Sequence, residues 1–389
     1  MKKSLISLTV GGFGIGMTEF VMMGILPDIA KSLSISIPVA GHLISAYALG
    51  VVLGAPLLVG IAGSYPPKKI LMGLMALFTV FNGLSAFAPN YETMMLTRLL
   101  SGLPHGAFFG VGAVVASRLA DKGKEARAIS MMFAGLTIAN IIGVPIGTYI
   151  GHSMSWRITF VIISGVGLLT LLSLRQLLPA LPASGDSNMR KELQLFTRAE
   201  PWLVLGITAI GTGGLFAWFS YIAPLLTDVS GFSPEQLTYI LMLAGVGMAV
   251  GNLIAGRVAD YISPIKATAL FLLLMAVSLV IVSFVAHWKV PVLVMTFITG
   301  AISFSLGAPI QILMIRVSNG SEMLASSVSQ AGFNIGNALG AYLGGLPIAA
   351  GLGYTSPEWV GAMLAFTGFS MAVILYYRQK STAAFGLTA

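Results

Sequence analysis

The chain has 389 residues, of which 56% are hydrophobic and 9% charged, with 46 glycines and a mean hydropathy of +0.91. A soluble domain carries about a quarter charged residues, so this sequence cannot coat a water-facing surface and reads as a membrane protein. The net charge of +8 is spread thinly between apolar stretches, which reports membrane orientation and sets nucleic-acid binding aside; with no cysteine there is no disulfide, thiol nucleophile or Cys-ligated metal.

Lys2 and Lys3 followed by an apolar run from Leu5 look like the start of a signal peptide, but no small-x-small cleavage site follows and the run continues to Pro27, long enough to span. A hydrocarbon core of about 30 Å needs roughly 20 apolar residues per helix. Such segments recur at 5–27, 39–62, 70–89, 93–117, 128–150, 157–178, 201–224, 235–257, 267–286, 291–315, 323–349 and 358–377. The predicted fold is an all-α membrane protein of twelve transmembrane helices. With a cytoplasmic N-terminus, 17 of the 21 Lys and Arg residues fall inside, Lys31, Arg157 and Lys289 fall outside, and Arg98 lies within a helix. The positive-inside rule therefore predicts both termini on the cytoplasmic side of the inner membrane. Pro179, Pro182 and Gly185 mark 179–200 as a linker between a bundle at 1–178 and a second at 201–389.

The halves repeat one another. Ala134-Gly135-Leu136-Thr137-Ile138-Ala139-Asn140, followed by Gly143 and Gly147 in helix five, matches Ala331-Gly332-Phe333-Asn334-Ile335-Gly336-Asn337, followed by Gly340 and Gly344 in helix eleven, at a constant offset of 197. Pro27 and Pro224, taken as the ends of helices one and seven, share that offset. Six helices is an even number, so the second copy keeps the orientation of the first. Parallel repeats of this kind place a site between the halves and allow them to rock. Small residues at spacing four also serve plain helix packing, but packing alone does not predict a shared register.

Only one acid, Glu19, and one base, Arg98, lie well inside the predicted spans. A carboxylate facing lipid costs about 2.5 to 3.5 kcal/mol, so Glu19 is expected to face the bundle interior. Burial there favours its protonated form and a nearby cation its ionised form, the tension a proton carrier needs. Glu19 and Arg98 come out at similar depth, as a coupling pair or a static one, and His105, seven residues after Arg98, returns to the same face of helix four as a proton relay or a buried hydrogen-bonded residue. His42, His152 and His287 read as surface residues. Tyr47, Thr137, Asn140, Trp218, Tyr221, Gln311, Gln330, Asn334 and Asn337 are candidate substrate contacts, aromatics and amides suited to a neutral hydroxylated or a lipophilic ligand.

Further motifs carry a family resemblance: Thr18-Glu19-Phe20 and Gly24-Ile25-Leu26-Pro27-Asp28-Ile29-Ala30; Ala40-Gly41, Tyr47-Ala48 and Gly54-Ala55-Pro56; and Pro104-His105-Gly106-Ala107-Phe108-Phe109-Gly110. Over essentially its whole length the chain resembles the major facilitator superfamily, specifically the twelve-helix drug:proton antiporter group and its arabinose-efflux permease (AraJ-like) and sugar-efflux branch. The family's GxxxDRxGRK loop motif survives as Gly60, Lys68 and Lys69, with Ser64 in place of Asp; the second-half counterpart keeps Gly256 and Asp260 but has Tyr261 for Arg. Its RxxxG motif is matched by Arg98 and Gly102, and its antiporter motif by Gly143-Val144-Pro145-Ile146-Gly147. The resemblance implies a gating role for these loop and motif residues, though the loss of the first-half Asp argues against an Asp-based latch.

These readings converge on a monomeric secondary transporter that exports a small sugar-like or drug-like solute in exchange for protons, with the lipid bilayer as its surroundings and no metal or cofactor. A proton-coupled importer is the alternative within transport. The alternative of another class, a membrane-embedded enzyme, would need paired carboxylates, an HExxH motif or a Ser–His arrangement in the spans, against which the lone Glu19 and single deep histidine count; no GxxxxGK[ST] nucleotide loop is present.

Overall fold

The computed structural model describes residues 3–62, 65–121, 125–182, 197–318 and 322–384, and within them the chain forms twelve helical segments. They are α1 (Lys3–Ser32), α2 (Ile37–Ala62), α3 (Pro67–Ala86), α4 (Tyr91–Leu119), α5 (Glu125–Ile138, a π turn Ala139–Gly143, then Val144–Ile150), α6 (Trp156–Leu177), α7 (Ala199–Gly211, Gly213–Ser220 and Ile222–Pro224), α8 (Pro234–Ile262), α9 (Pro264–Val285), α10 (Lys289–Phe304 and Gly307–Val317), α11 (Glu322–Ala349) and α12 (Ser356–Ala384). Ten stretches are long and apolar enough to cross a membrane, and one of these, Ala128–Leu177, holds both α5 and α6. Helix α11 is the twelfth; its Gln330, Asn334 and Asn337 dilute its hydropathy, the first sign that it faces something other than lipid.

Two prolines do not end helices as expected. α1 runs past Pro27 to Ser32, and α7 continues past Pro224 into a π turn, Leu225–Val229. Pro27 has no N–H for the Met23 carbonyl, so α1 continues one bond short, whereas Pro224 falls in the first turn after the break at Tyr221, where its missing N–H has no partner to lose. In α5 the same deficit is absorbed by the π turn: Pro145 has no N–H for the Ile141 carbonyl, and the extra residue lies just before it.

The duplication is visible in the packing. α2 packs on α4, α3 on α6 and α1 on α5; α8 on α10, α9 on α12 and α7 on α11 repeat these pairs. A Cβ on Gly50 would overlap the Leu99 carbonyl oxygen, and one on Gly247, 197 residues later, the Phe297 carbonyl oxygen. Glycine is required at both crossings because the backbones touch. Between the halves, α2 meets α11 and α5 meets α8, again a symmetric pair.

Among the described residues, the first half of α2 lies against the last turns of α11 and against α7. Ser45 donates to the Ala338 carbonyl at 3.0 Å, the His42 ring lies 5.7 Å from that of Tyr342, and Tyr221, whose hydroxyl donates within its own half to the Ala341 carbonyl at 2.6 Å, covers Gly41.

Candidate functional site

Glu19 sits near the middle of α1, 6% exposed, and the next residue, Phe20, reaches the other half. The Phe20 ring lies 6.3 Å from Phe216, 6.1 Å from Phe219 and 6.1 Å from Phe304, forming an apolar seam between α1, α7 and α10. From α11, Asn337, 1% exposed, lies beside the Glu19 carboxyl, and its amide bonds to no other group. Glu19 thus stands where the two halves meet, next to an amide that has unused bonding capacity.

Arg98 is fully buried on α4 and coupled electrostatically to Glu19, but the two do not form an ion pair. Its NH1 donates to Thr18 Oγ1 at 3.0 Å and its NH2 to the Thr18 carbonyl at 3.2 Å. The guanidinium lies 4.3 Å above the Tyr47 ring and 5.7 Å from that of Phe160, both favourable cation–π placements. The close α2–α4 crossing sets this stack: a Cβ on Gly102, one turn after Arg98, would overlap the Tyr47 carbonyl oxygen.

Thr18 in turn donates to Asn82 Oδ1 at 2.5 Å, and Asn82 Nδ2 donates to the Phe78 carbonyl at 2.8 Å. On the other side of Arg98, the Tyr47 hydroxyl lies 3.1 Å from His105 Nδ1, and the buried His105 ring packs edge-on against Phe109. The result is one polar track through the first half, Asn82–Thr18–Arg98–Tyr47–His105, with Glu19 at its inter-half edge. Glu19, Arg98, His105 and Tyr47 were legible in the sequence as separate candidates. Asn82 carried no signal as a mid-helix amide, and Thr18 entered only as a motif letter.

The other candidates divide by location. Asn140, in the α5 π turn, donates to the Leu136 carbonyl at 3.1 Å and leaves Oδ1 unpartnered; Asn334 does the same with Gln330 at 3.0 Å. The Asn140 carbonyl is the atom that Gly245 of α8 admits. Thr137, Gln311 and Gln330 are half-buried. Trp218 is buried against Phe219, and Tyr221 covers Gly41 of α2 while its hydroxyl is bonded to the Ala341 carbonyl.

Among the gating candidates, Lys68 donates to the Arg175 and Leu178 carbonyls at 2.8 and 2.5 Å and so caps the C-terminus of α6, while Lys69 is exposed. Gly143 and Gly147 are buried against Phe13, Met17 and Val21 of α1, with Pro145 buried between them. Gly60, Gly256 and Asp260 belong to the C-terminal ends of α2 and α8, and their surroundings, like Ser64, lie outside the described residues. Of the histidines read as surface residues, His287 is exposed, but His42 Nδ1 lies 3.2 Å from the Tyr91 hydroxyl and His152 Nδ1 lies 2.6 Å from Asp28. The continuation of α1 beyond Pro27 is what carries Asp28 to that pair. Glu358, at an expected helix end, is 1% exposed with Oε2 unpartnered.

The chain is 40% identical to AraJ of Escherichia coli (strain K12) over 380 residues, covering 98% of this chain and 96% of that protein. It is 41% identical to the inner membrane transport protein YdhP of the same strain over 377 residues, covering 97% and 96%. Among solved structures it is similar to a D-xylose–proton symporter, with a TM-score of 0.77 at 15% identity over 96% of this chain and 97% of that one. The Major Facilitator Superfamily model matches residues 8–319 and again 205–386, the second match falling on the repeat. Twelve helices in two matching sets, a buried acid where the sets meet and these likenesses have one reading: the chain is a multi-pass membrane transporter belonging to the Major Facilitator Superfamily.

Proposed function

We propose that the chain is a proton-coupled antiporter of the inner membrane, with both termini cytoplasmic, which exports a small neutral organic solute. The observation that carries this reading is Glu19: a buried carboxyl at the meeting of the halves, with an amide of the second half that has no other partner on one side and an arginine close by but bonded elsewhere. Such a group can exchange a proton as access alternates. The bundles 1–178 and 201–389 rock about the linker 179–200; Glu19 loads from outside, and releases its proton inside as solute binds to Asn337, Asn334 and Asn140, whose free acceptors and donors suit hydroxyl groups.

Each inward proton gains about 2.3 kcal/mol per 100 mV of inside-negative potential. One proton per neutral solute then sustains a gradient of roughly 50-fold per 100 mV, since 1.4 kcal/mol is tenfold. The test begins with purified protein screened against neutral sugars and lipophilic antibiotics for ligand-induced thermal stabilisation. The stabilising compound is then loaded into proteoliposomes under an imposed pH gradient. Movement against the proton gradient with loss of pH dependence in Glu19→Gln supports the proposal. Solute movement with the protons would make the chain an importer, and unchanged pH-driven transport in Glu19→Gln would make the carboxyl structural.

A further inference from the structure

Hydrogen-bond accounting around Thr18 fixes the direction of every bond. Asn82 Nδ2 is committed to the Phe78 carbonyl, so Asn82 presents its oxygen to Thr18. A hydroxyl has one proton and two lone pairs. The Thr18 proton therefore points at Asn82, and a lone pair is left aimed at Arg98 NH1. The Thr18 carbonyl takes NH2, although a mid-helix carbonyl already has an intrahelical partner. Arg98 Nε is buried with no partner at all. The guanidinium is thus held through both terminal nitrogens by the residue next to Glu19, with Nε idle and a carboxyl within electrostatic reach.

We propose that Thr18, oriented by Asn82, is a docking site that holds Arg98 off Glu19 while the carboxyl carries its proton, and yields the guanidinium to Glu19 when the proton leaves. This rests on the coupling reading given above. When Glu19 loses its proton to water on the inner side, the carboxylate is left in a buried site and needs a counter-charge. Arg98 supplies it by exchanging neutral acceptors on Thr18 for a charged one, and on reprotonation the balance reverses because the neutral carboxyl is the weaker acceptor. Competition between two sets of acceptors for one cation is what lets Glu19 both release and regain its proton.

The groups around the switch are few. α4 presents Arg98 and His105, α2 presents Tyr47, and these with Glu19 are the titratable groups at the site. The other packed helices face it with uncharged side chains: Asn82 from α3, Phe160 from α6, Asn337 from α11, Phe216 and Phe219 from α7, and Phe304 from α10. No second acid is present to take Arg98 from Thr18 among these groups.

Thr18 and Asn82 are positioning residues, so the test reads the proton and not the solute. Full-length protein in lipid is titrated by infrared spectroscopy, and the protonated-carboxyl band that Glu19→Gln removes is followed to its midpoint pH. Thr18→Val takes away the docking hydroxyl, leaves Arg98 to settle on Glu19, and is expected to move the midpoint about 1 pH unit toward acid, a tenfold higher proton concentration for half-loading. Asn82→Leu, which leaves the Thr18 hydroxyl unoriented, is expected to move it the same way by less, and Thr18→Ser to restore the original midpoint. If Thr18→Val does not fold, Asn82→Leu decides. A band that Glu19→Gln removes, with a midpoint untouched by either substitution, overturns the docking site and leaves coupling intact. If Glu19→Gln removes no titrating band, the coupling reading itself fails.

Discussion

Arg98 donates both terminal nitrogens to Thr18, the residue immediately before Glu19, and not to the Glu19 carboxyl. The guanidinium also lies over the ring of Tyr47, whose hydroxyl continues to His105. One cation thereby links α1, α2 and α4 and remains able to answer a change of charge at Glu19.

Arg98→Lys keeps the charge and loses the geometry. An ammonium cannot bond both Thr18 acceptors and stack on Tyr47 at once. Removing one hydrogen bond to a charged group costs about 1.5 to 3 kcal/mol, so proton-driven transport in proteoliposomes is expected to fall at least about tenfold, with the protein still folded by size-exclusion chromatography.

Gly102→Ala is expected to destabilise the protein by about 1 to 3 kcal/mol, because a Cβ there collides with the Tyr47 backbone and the core has no room to give. Gly73→Ala and Gly165→Ala are the controls: a Cβ at either meets nothing within 4 Å. Both lie within helices, where alanine is favoured over glycine by about 0.5 to 1 kcal/mol. Thermal unfolding in detergent should show loss in the first and none in the other two.

Ser45→Ala removes the first-half hydroxyl that bonds the Ala338 carbonyl of the second half. A net hydrogen bond of about 0.5 to 1.5 kcal/mol corresponds to a shift toward states in which α2 and α11 part of roughly 2- to 10-fold. The chain has no cysteine, so a single Ala338→Cys reporter can be labelled cleanly. Its reaction with a membrane-impermeant maleimide should accelerate by that factor.

Lys68→Ala separates capping from gating. Lys68 holds two carbonyls at the end of α6, and a cation at a helix C-terminus contributes about 0.3 to 1 kcal/mol. The expected outcome is a drop in thermal stability of that size with transport rates unchanged. A fall in rate without loss of stability would instead favour the gating role that the family resemblance implies.

The proline at 27 shows how far pattern reading carries. Hydropathy located α1, but its end depended on whether the turn after Pro27 finds packing partners, and it does: Ile29 and Ala30 are buried. The continuation of α1 to Ser32 brings Asp28 to His152, a contact that no sequence spacing reveals. Asn82 is silent in the sequence for a related reason. A single amide in an apolar helix has the same signature whether it satisfies itself on the preceding turn or orients a neighbour, and Asn82 does both through different atoms.

By itself the sequence determined the membrane class, the twelve spans, the duplicated register and the identity of the one acid and one base deep in those spans, because each follows from composition or periodicity along the chain. The tertiary structure decided that Arg98 bonds Thr18, that Asn82 orients that bond, and that Asn337 of the other half lies beside Glu19. Those choices depend on which helix faces meet and how closely, and closeness is set by glycines such as Gly50 and Gly102, where one missing Cβ lets two backbones touch. A periodic pattern shows which face of a helix is polar; only packing selects the partner that satisfies it.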